Sequence, residues 1–388
     1  METLDQKSIL EGIRNYSLVL MRGSSAQNPL WNQEQQLSGK QNRWNYIDGC
    51  MMLGLLSLYD ITGEEEYLSF ADSFMSGFVE EDGTILLYDP SLHRLDDINP
   101  GKALLRLYDL TGKERYLRGA KRLFHAVKSQ PRTNEGNFWH KDIYPRQVWL
   151  DGLYMVMPFY MEYETRFNGM REYMDIIRQF RNVHRLMHLE SGLYCHGYDE
   201  TKSLAWANPE TGRSPHVWLR ALGWFMMALV DTLEKMDEQL YYEYRELSGM
   251  LRGLADALLL WQHEEGMFYQ IVDHPDAEGN YLETSGSAMI SCTLLKAVRL
   301  GFLPKRYAEV GERCFWGITK RYLKLDGNRI ELGGICLVAG LGGTGGEHRD
   351  GSLQYYLSEP VVSNEAKGIA PFLMAYTEIL RRSEDTRP

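Results

Sequence analysis

The sequence predicts an all-α chain folded as an (α/α)6 barrel, a ring of six helical hairpins with short strands confined to loops. Three observations predict it. A helix-hairpin repeat recurs in the first third of the chain. Helices that are apolar on all faces alternate with amphipathic ones along the rest. The N-terminal segment is an amphipathic helix without a hairpin partner of its own, as ring closure requires.

The repeat is direct. LYDITGEEEYLSFADSF begins at Leu58 and LYDLTGKERYLRGAKRL begins at Leu107, 49 residues later. Each copy reads Leu-Tyr-Asp, then Thr-Gly, then Tyr-Leu. The Thr-Gly pair marks a helix end, because glycine takes the left-handed position that closes a helix C-terminus. The charged run after it opens an amphipathic helix. One repeat is therefore an apolar helix, a tight turn and an amphipathic helix.

Weaker copies continue the alternation. Trp149 to Thr165 is apolar and Met170 to Met187 amphipathic; Trp218 to Glu234 pairs with Leu240 to Trp261, and Ser285 to Leu300 with Pro304 to Tyr322. Ser363 to Arg381 is a last apolar helix, and Leu4 to Met21 is its expected partner. Helices apolar all round are buried, so these form the inner ring, with starts near Asn45, Asp97, Trp149, Trp218, Ser285 and Ser363. Short strands are expected in TILLYD at Thr84, GLYCHGY at Gly192 and GMFYQIV at Gly266. Residues 1–388 read as a single domain of this kind.

Composition narrows the function. The 388 residues are 44% hydrophobic and 24% charged, ordinary for a globular chain, with a formal net charge of −11. That charge argues against a nucleic-acid partner. The 24 tyrosines and 9 tryptophans suit sugar pockets as well as cores, since each ring has a flat apolar face and a polar edge. Five scattered cysteines (Cys50, Cys195, Cys292, Cys314 and Cys336) imply neither a disulfide framework nor zinc, and read as reduced packing residues. No cofactor and no metal ligand set is expected. The N-terminus lacks the pattern of a signal peptide, and no stretch approaches a membrane span, so a cytoplasmic location without membrane contact is expected. A monomer or weak homo-oligomer is expected.

The candidate chemistry sits on the loops that precede the inner helices: RWNYIDG, RLDDINPG, QVWLDG, SPHVWLRALGW, LETSGSA and EPVVSNEAKG. Parallel inner helices bring these ends to one mouth, where free helix N–H groups suit an anionic or hydroxyl-rich ligand. Asp151 stands in an almost uncharged segment, YPRQVWLDGLYMVMPFY, beside Trp149 and Gly152. A buried carboxylate is costly unless satisfied or used, so Asp151 is either capped or functional. Trp149 reads as a sugar platform and Gly152 as a close-approach point. Asp96 and Asp97 open the preceding inner helix and face Asp151 or cap that helix. His140 and Lys141 precede Asp151 on its loop, and His196 lies on a loop between repeats. Arg220 shares a helix face with Trp218 and Trp224, and its fork suits a carboxylate. GLGGTGGEHRDGS, from Gly340, reads as a flexible loop near the mouth, with His348 as a contact.

Together, DDINPGKALLRLYDLTG, KDIYPRQVWLDGLYM, HGYDETKSLAWANPETGRSP and WLRALGW resemble the unsaturated rhamnogalacturonyl hydrolases of glycoside hydrolase family 105 over nearly the whole chain. The resemblance implies an (α/α)6 barrel and a substrate that is a small oligosaccharide ending in a 4,5-unsaturated uronate. It implies Asp151 as general acid/base, assisted by an acidic residue of DDINPG, Asp96 before Asp97. It places His140, Lys141, His196, Trp218 and Arg220 around the sugar, with Trp44 and Tyr46. For that work the resemblance expects the Asp151 pKa to be raised by apolar surroundings. Many relatives have glycine where this chain has Leu219, a substitution expected to narrow the pocket. The rival readings are an inverting glycosidase on saturated sugars using paired aspartates, a toroidal sugar epimerase or isomerase using His140 and His196, and a non-catalytic carbohydrate binder.

Overall fold

The computed structural model describes residues 5–326, 329–342 and 349–385. Six helices form an inner ring: α3 (Tyr46–Thr62), α5 (Gly101–Thr111), α7 (Leu150–Phe167), α9 (Leu219–Lys235), α11 (Thr284–Arg299) and α14 (Ala366–Asp385). Each packs on the next, and α14 packs on α3 to close the ring. Six outer helices surround them: α1 (Gln6–Arg22), α4 (Glu65–Ser76), α6 (Glu114–Ser129), α8 (Tyr173–Met187), α10 (Tyr241–Leu258) and α12 (Arg306–Tyr322). Short helices α2 (Gln33–Ser38) and α13 (Leu353–Ser358) sit in connections.

The sequence repeat has a structural meaning at each position. Gly63 and Gly112 take φ of 67° and 67° as C-caps of α3 and α5. The preceding threonines bond back into the last turn, Thr62 Oγ1 to the Leu58 carbonyl at 2.8 Å and Thr111 Oγ1 to the Leu107 carbonyl at 2.7 Å. The repeated aspartates bind the next inner helix: Asp60 pairs with Arg106, and Asp109 accepts from Arg166 Nη1 at 3.0 Å. The conserved spacing inside this one chain thus fixes both the hairpin and its neighbour.

The N-terminal helix closes the ring as its amphipathic pattern predicts. Tyr376 Oη on α14 donates to the Leu10 carbonyl at 2.9 Å, and Tyr16 Oη donates to Asn364 Oδ1 at 2.6 Å. On its other side Arg14 reaches Glu64 at 2.6 Å and Arg22 reaches Glu66 at 2.7 Å.

Among the described residues three two-stranded antiparallel pairs occur: β1 (Gln147–Trp149) with β2 (Gly197–Asp199), β3 (Leu323–Asp326) with β4 (Arg329–Leu332), and β5 (Ile335–Cys336) with β6 (Val361–Val362). The strand expectations are met only in part. TILLYD forms a single bridge at Ile85, and GMFYQIV makes only isolated bridges at Tyr269 and Ile271. In GLYCHGY the strand is its last two residues, Gly197 and Tyr198, with Asp199. These segments cross other loops once and turn away, so β-rich composition outruns the pairing available. The β3–β4 hairpin was not expected from the sequence.

The five cysteines are buried and unpaired with one another. Among the described residues no helix is long and apolar enough to cross a membrane.

Candidate active site

The inner helices run in one direction, and their N-terminal ends meet. The β1–β2 pair is the local device that assembles the site there. Its register sets Trp149 opposite Gly197, and the Leu150 N–H donates to the His196 carbonyl at 3.1 Å. Asp151, in the first turn of α7, is thereby seated against His196, just before β2. The approach requires glycine at 197: a Cβ there would lie 2.5 Å from Leu341 Cδ1 and 3.2 Å from Trp149 Cδ1.

Three aspartates stand in three different environments. Asp96 lies in a 3-10 turn, Leu95–Ile98, and is 8% exposed. Its carboxylate meets Lys141 Nζ at 2.6 Å and His140 Nε2 at 3.6 Å. Burial alone would raise its pKa, but Lys141 and then His140 hold it below the ordinary carboxylate value. Asp97 points elsewhere. Its peptide carbonyl accepts from Trp44 Nε1 at 2.7 Å, and among the described residues its carboxylate has only Arg43, at 3.8 Å. Burial pushes it up to about 6, against Arg43 and with the help of the Asp96 charge.

Asp151 is the third. Its Oδ2 is buried without a hydrogen bond, although His196 Nε2 is 3.3 Å away; the approach lies off the line that a hydrogen bond needs. The fully buried His196 is held on its far side, where Nδ1 and Tyr356 Oη lie 2.7 Å apart. A buried polar atom ordinarily has a partner, and Asp151 Oδ2, His196 Nε2, His140 Nδ1, Trp218 Nε1 and Gln270 Oε1 have none.

Arg220 is 1% exposed and has no carboxylate partner among the described residues. Nη1 donates to Ser285 Oγ at 3.3 Å and to the Cys336 carbonyl, and Nη2 donates to the Leu337 carbonyl at 3.4 Å. Its guanidinium sits 4.8 Å from the Trp218 ring. Lys367 provides a contrast: it is equally buried but lies between Glu34 and Glu365, the latter at 3.1 Å.

The aromatic candidates divide between lining and packing. Trp149 is covered by His140 and Tyr144, with ring centroids at 4.4 and 4.7 Å. Trp218 lies against His196 at 4.7 Å and Tyr356 at 6.0 Å. Trp224 stacks on Tyr154 at 4.8 Å and meets Tyr46 edge-on at 6.5 Å, further into the ring. Gly152 leaves room for Leu95, whose Cδ1 would lie 2.8 Å from an added Cβ, and for the His140 ring. Leu219 is fully buried and fills the space that Gly286 leaves on α11. His140 is kept neutral: burial pushes it down to about 4 despite the nearby Asp96.

Sequence reasoning missed Tyr356, Gln270 and Arg43. Tyr356 sits in the short helix α13 with no local pattern to mark it. His348 lies outside the described residues, but the start of its glycine-rich loop does reach the mouth. Leu341 packs at Gly197, and Gly340 N–H donates to Tyr355 Oη at 2.9 Å.

A cavity of about 390 Å³ opens at the opposite, C-terminal end of the inner helices. It holds ion pairs, Lys296 with Asp231 at 2.8 Å and Glu234 at 2.7 Å, and Arg299 with Glu378 at 2.7 Å. None of the candidate site residues lines it. It too is lined by residues with unpartnered buried atoms, Tyr154 Oη, Thr293 Oγ1 and Arg381 Nε.

Comparison with known proteins agrees with this architecture. The model of Glycosyl Hydrolase Family 88 matches residues 24–383. A solved glycoside hydrolase from family 105 of C. acetobutylicum ATCC 824 is 38% identical, with a TM-score of 0.87 over 96% of this chain and 99% of that one. The unsaturated rhamnogalacturonyl hydrolase YesR of Bacillus subtilis (strain 168) is 27% identical over 264 residues, 66% of this chain and 72% of that protein. The unsaturated glucuronyl hydrolase of Bacillus sp. GL1, at 16% identity and a TM-score of 0.65 over 94% of this chain and 97% of that one, shares the fold. The chain therefore belongs to the glycoside hydrolases of families 88 and 105.

Proposed function

We propose that the protein releases a 4,5-unsaturated uronic acid from the non-reducing end of pectin-derived, rhamnogalacturonan oligosaccharides by hydrating the C4=C5 double bond. The observation that carries the reading is Asp151: a carboxyl oxygen at the mouth, buried and without a hydrogen bond, beside a fixed imidazole. YesR, a relative by sequence, carries the corresponding activity in its name.

The chemistry follows from the substrate. The C4=C5 bond is a vinyl ether, because C5 bears the ring oxygen. A proton delivered from Asp151 to C4 leaves an oxocarbenium-like centre at C5, stabilised by that oxygen. The resulting carboxylate then takes a proton from water as it adds at C5. The hemiketal opens and the glycosidic bond to the next sugar is lost, without attack at the anomeric carbon. Arg220, a buried cation lacking a carboxylate, is assigned to the uronate carboxylate, which its fork matches. Asp96 is held as an anion by Lys141 and orients sugar hydroxyls. His196 orients Asp151 through its Tyr356 contact. Trp218 supplies the apolar wall, and Trp44, Tyr46, Trp149 and Trp224 hold the surrounding loops and floor.

The test is spectrophotometric. The protein, mixed with an unsaturated rhamnogalacturonan disaccharide, is expected to erase the ultraviolet band of the conjugated alkene. Asp151→Asn is expected to slow this by about 10²–10⁴-fold, the range of general acid/base catalysis, with an unchanged melting temperature. A band that persists with this and other unsaturated uronates would overturn the hydration reading and point to intact glycosides cleaved by paired carboxylates.

A further inference from the structure

A second cluster of coordinating groups lies just upstream of Trp218. His216, Asp273 and His274 each offer one ligand atom, and these atoms lie within 4.8 Å of one another. The chain entering α9 and the chain approaching α11 run side by side here. Trp218 bridges to Ile271, Val272 N–H donates to the Val217 carbonyl at 3.0 Å, and Leu219 N–H donates to the Gln270 carbonyl at 3.0 Å. The cluster sits at the open end of that ladder.

The groups are arranged as ligands rather than as an ion pair. Asp273 Oδ1 accepts the Val217 N–H at 3.1 Å, which fixes the carboxylate and leaves Oδ2 to face His274 Nε2 at 3.9 Å. That backbone bond is the kind of support that orients ligating carboxylates. His216 Nδ1 is buried and has no hydrogen-bond partner. The two imidazoles meet edge to face, with centroids 4.8 Å apart. The His274 carbonyl is held by Asn280 Nδ2 at 2.9 Å, while its side chain is 43% exposed and open to solvent.

We propose that His216, Asp273 and His274 bind one divalent transition-metal ion, of the zinc class, that clasps the segment entering α9 to the segment approaching α11. Two imidazoles and one carboxylate suit a borderline-soft ion and leave a fourth position for water. Tetrahedral ligands at about 2.0–2.1 Å from zinc stand roughly 3.3 Å apart, so the site needs a contraction that the exposed His274 ring supplies by rotation. The clasp is separate from the hydrolytic groups, and the sequence does not announce it, because His216 and the Asp273–His274 pair are far apart in the chain.

The test uses tag-free full-length protein stripped with chelator and titrated with Co²⁺ and Zn²⁺. The expected result is one ion per chain, with a cobalt absorption band in the visible, unaffected by millimolar Mg²⁺. His216→Ala and His274→Ala are each expected to weaken binding at least tenfold. Zn²⁺ should raise the melting temperature of the parent protein and not of the variants. His274 is a surface side chain, so its variant keeps the test valid where His216→Ala folds poorly. Absence of binding at millimolar metal, or equal binding by the parent and His274→Ala, would overturn the assignment. Neither readout depends on hydrolysis, so its failure is distinct from failure of the proposed activity.

Discussion

Replacing Lys141 with methionine tests how the structure separates its three aspartates. Methionine keeps much of the apolar stem and removes the ammonium 2.6 Å from Asp96. The two side chains are 22% and 12% exposed, so this is a largely buried pair. Removing one member of such a pair costs about 3–5 kcal/mol, and the residual exposure of Lys141 favours the lower end, about 3 kcal/mol. The pH dependence should change sign. In the parent protein the Asp96 pKa is depressed, so its contribution is present above the unfolded value of about 3.9 and lost as pH falls through the folded one. Without Lys141, burial governs and the folded pKa rises above the unfolded one. Stability from this group is then present in acid and lost as pH rises. Urea unfolding at pH 4.5 and 7.5 measures both effects. Lys141→Met should lose about 3 kcal/mol at pH 7.5 and clearly less at pH 4.5, and Asp96→Asn added to it should restore most of the difference. A loss under about 1 kcal/mol, or an equal loss at both pH values, would refute the account.

Asp97 makes the opposite case. Its pKa of about 6 means the folded state carries a penalty that appears as pH rises from the unfolded value to the folded one, about 3 kcal/mol when complete. Asp97→Asn should therefore stabilise the protein by up to about 2 kcal/mol at pH 8, after loss of the Arg43 contact, and leave it unchanged near pH 3.5; thermal melts at both pH values check this. Gly197→Ala drives a methyl to 2.5 Å from Leu341. It should cost about 1–3 kcal/mol and lower turnover by displacing His196, and Leu341→Ala in the same chain should recover part of both. Arg220→Lys keeps the charge but loses the fork; KM for the unsaturated disaccharide should rise about 10–100-fold, and an unchanged KM would remove Arg220 from carboxylate binding.

The ring was legible because its information is local and repeated. Thr-Gly, the aspartate before it and the apolar helix that carries both recur at a fixed spacing, and the structure uses them alike at Asp60–Arg106 and Asp109–Arg166. Helix starts were less legible where a backbone feature outside the periodic pattern intervenes. Gly169 and Met170 both take positive φ, so the helix expected from Met170 begins at Tyr173. Asn364, with φ of 58°, similarly delays the last inner helix to Ala366. In the site, Asp151 and His196 were visible as polar residues on otherwise apolar or aromatic loops. Their orientation was not, since Tyr356 reaches His196 from a distant helix with ordinary composition. Nor could adjacent letters say which of Asp96 and Asp97 faces Lys141. That depends on a 3-10 turn, whose tighter winding sends neighbouring side chains to different surroundings.

An acidic protein proposed to bind an anionic sugar poses an electrostatic question, and the ring supplies the answer. The net charge of −11 is spread over the whole chain, where solvent and salt screen it within about 8 Å at physiological ionic strength. The mouth obeys nearer charges. Several inner helices present their N-terminal ends there, each with a partial positive charge and free N–H groups. Tyr46 opens α3, Asp151 lies in the first turn of α7, Arg220 in that of α9, Ser285 in that of α11, and Lys367 in that of α14. Of the cations, Lys141 is matched by Asp96, and Lys367 by Glu34 and Glu365. Arg220 alone among these three has only neutral oxygens, those of Ser285, Cys336 and Leu337. A buried guanidinium so placed retains its charge without its full solvation, and a carboxylate entering the mouth would complete the pairing proposed for it. The unsaturated uronate would thus be held by Arg220 while its C4 is offered to Asp151, whose Oδ2 makes no hydrogen bond.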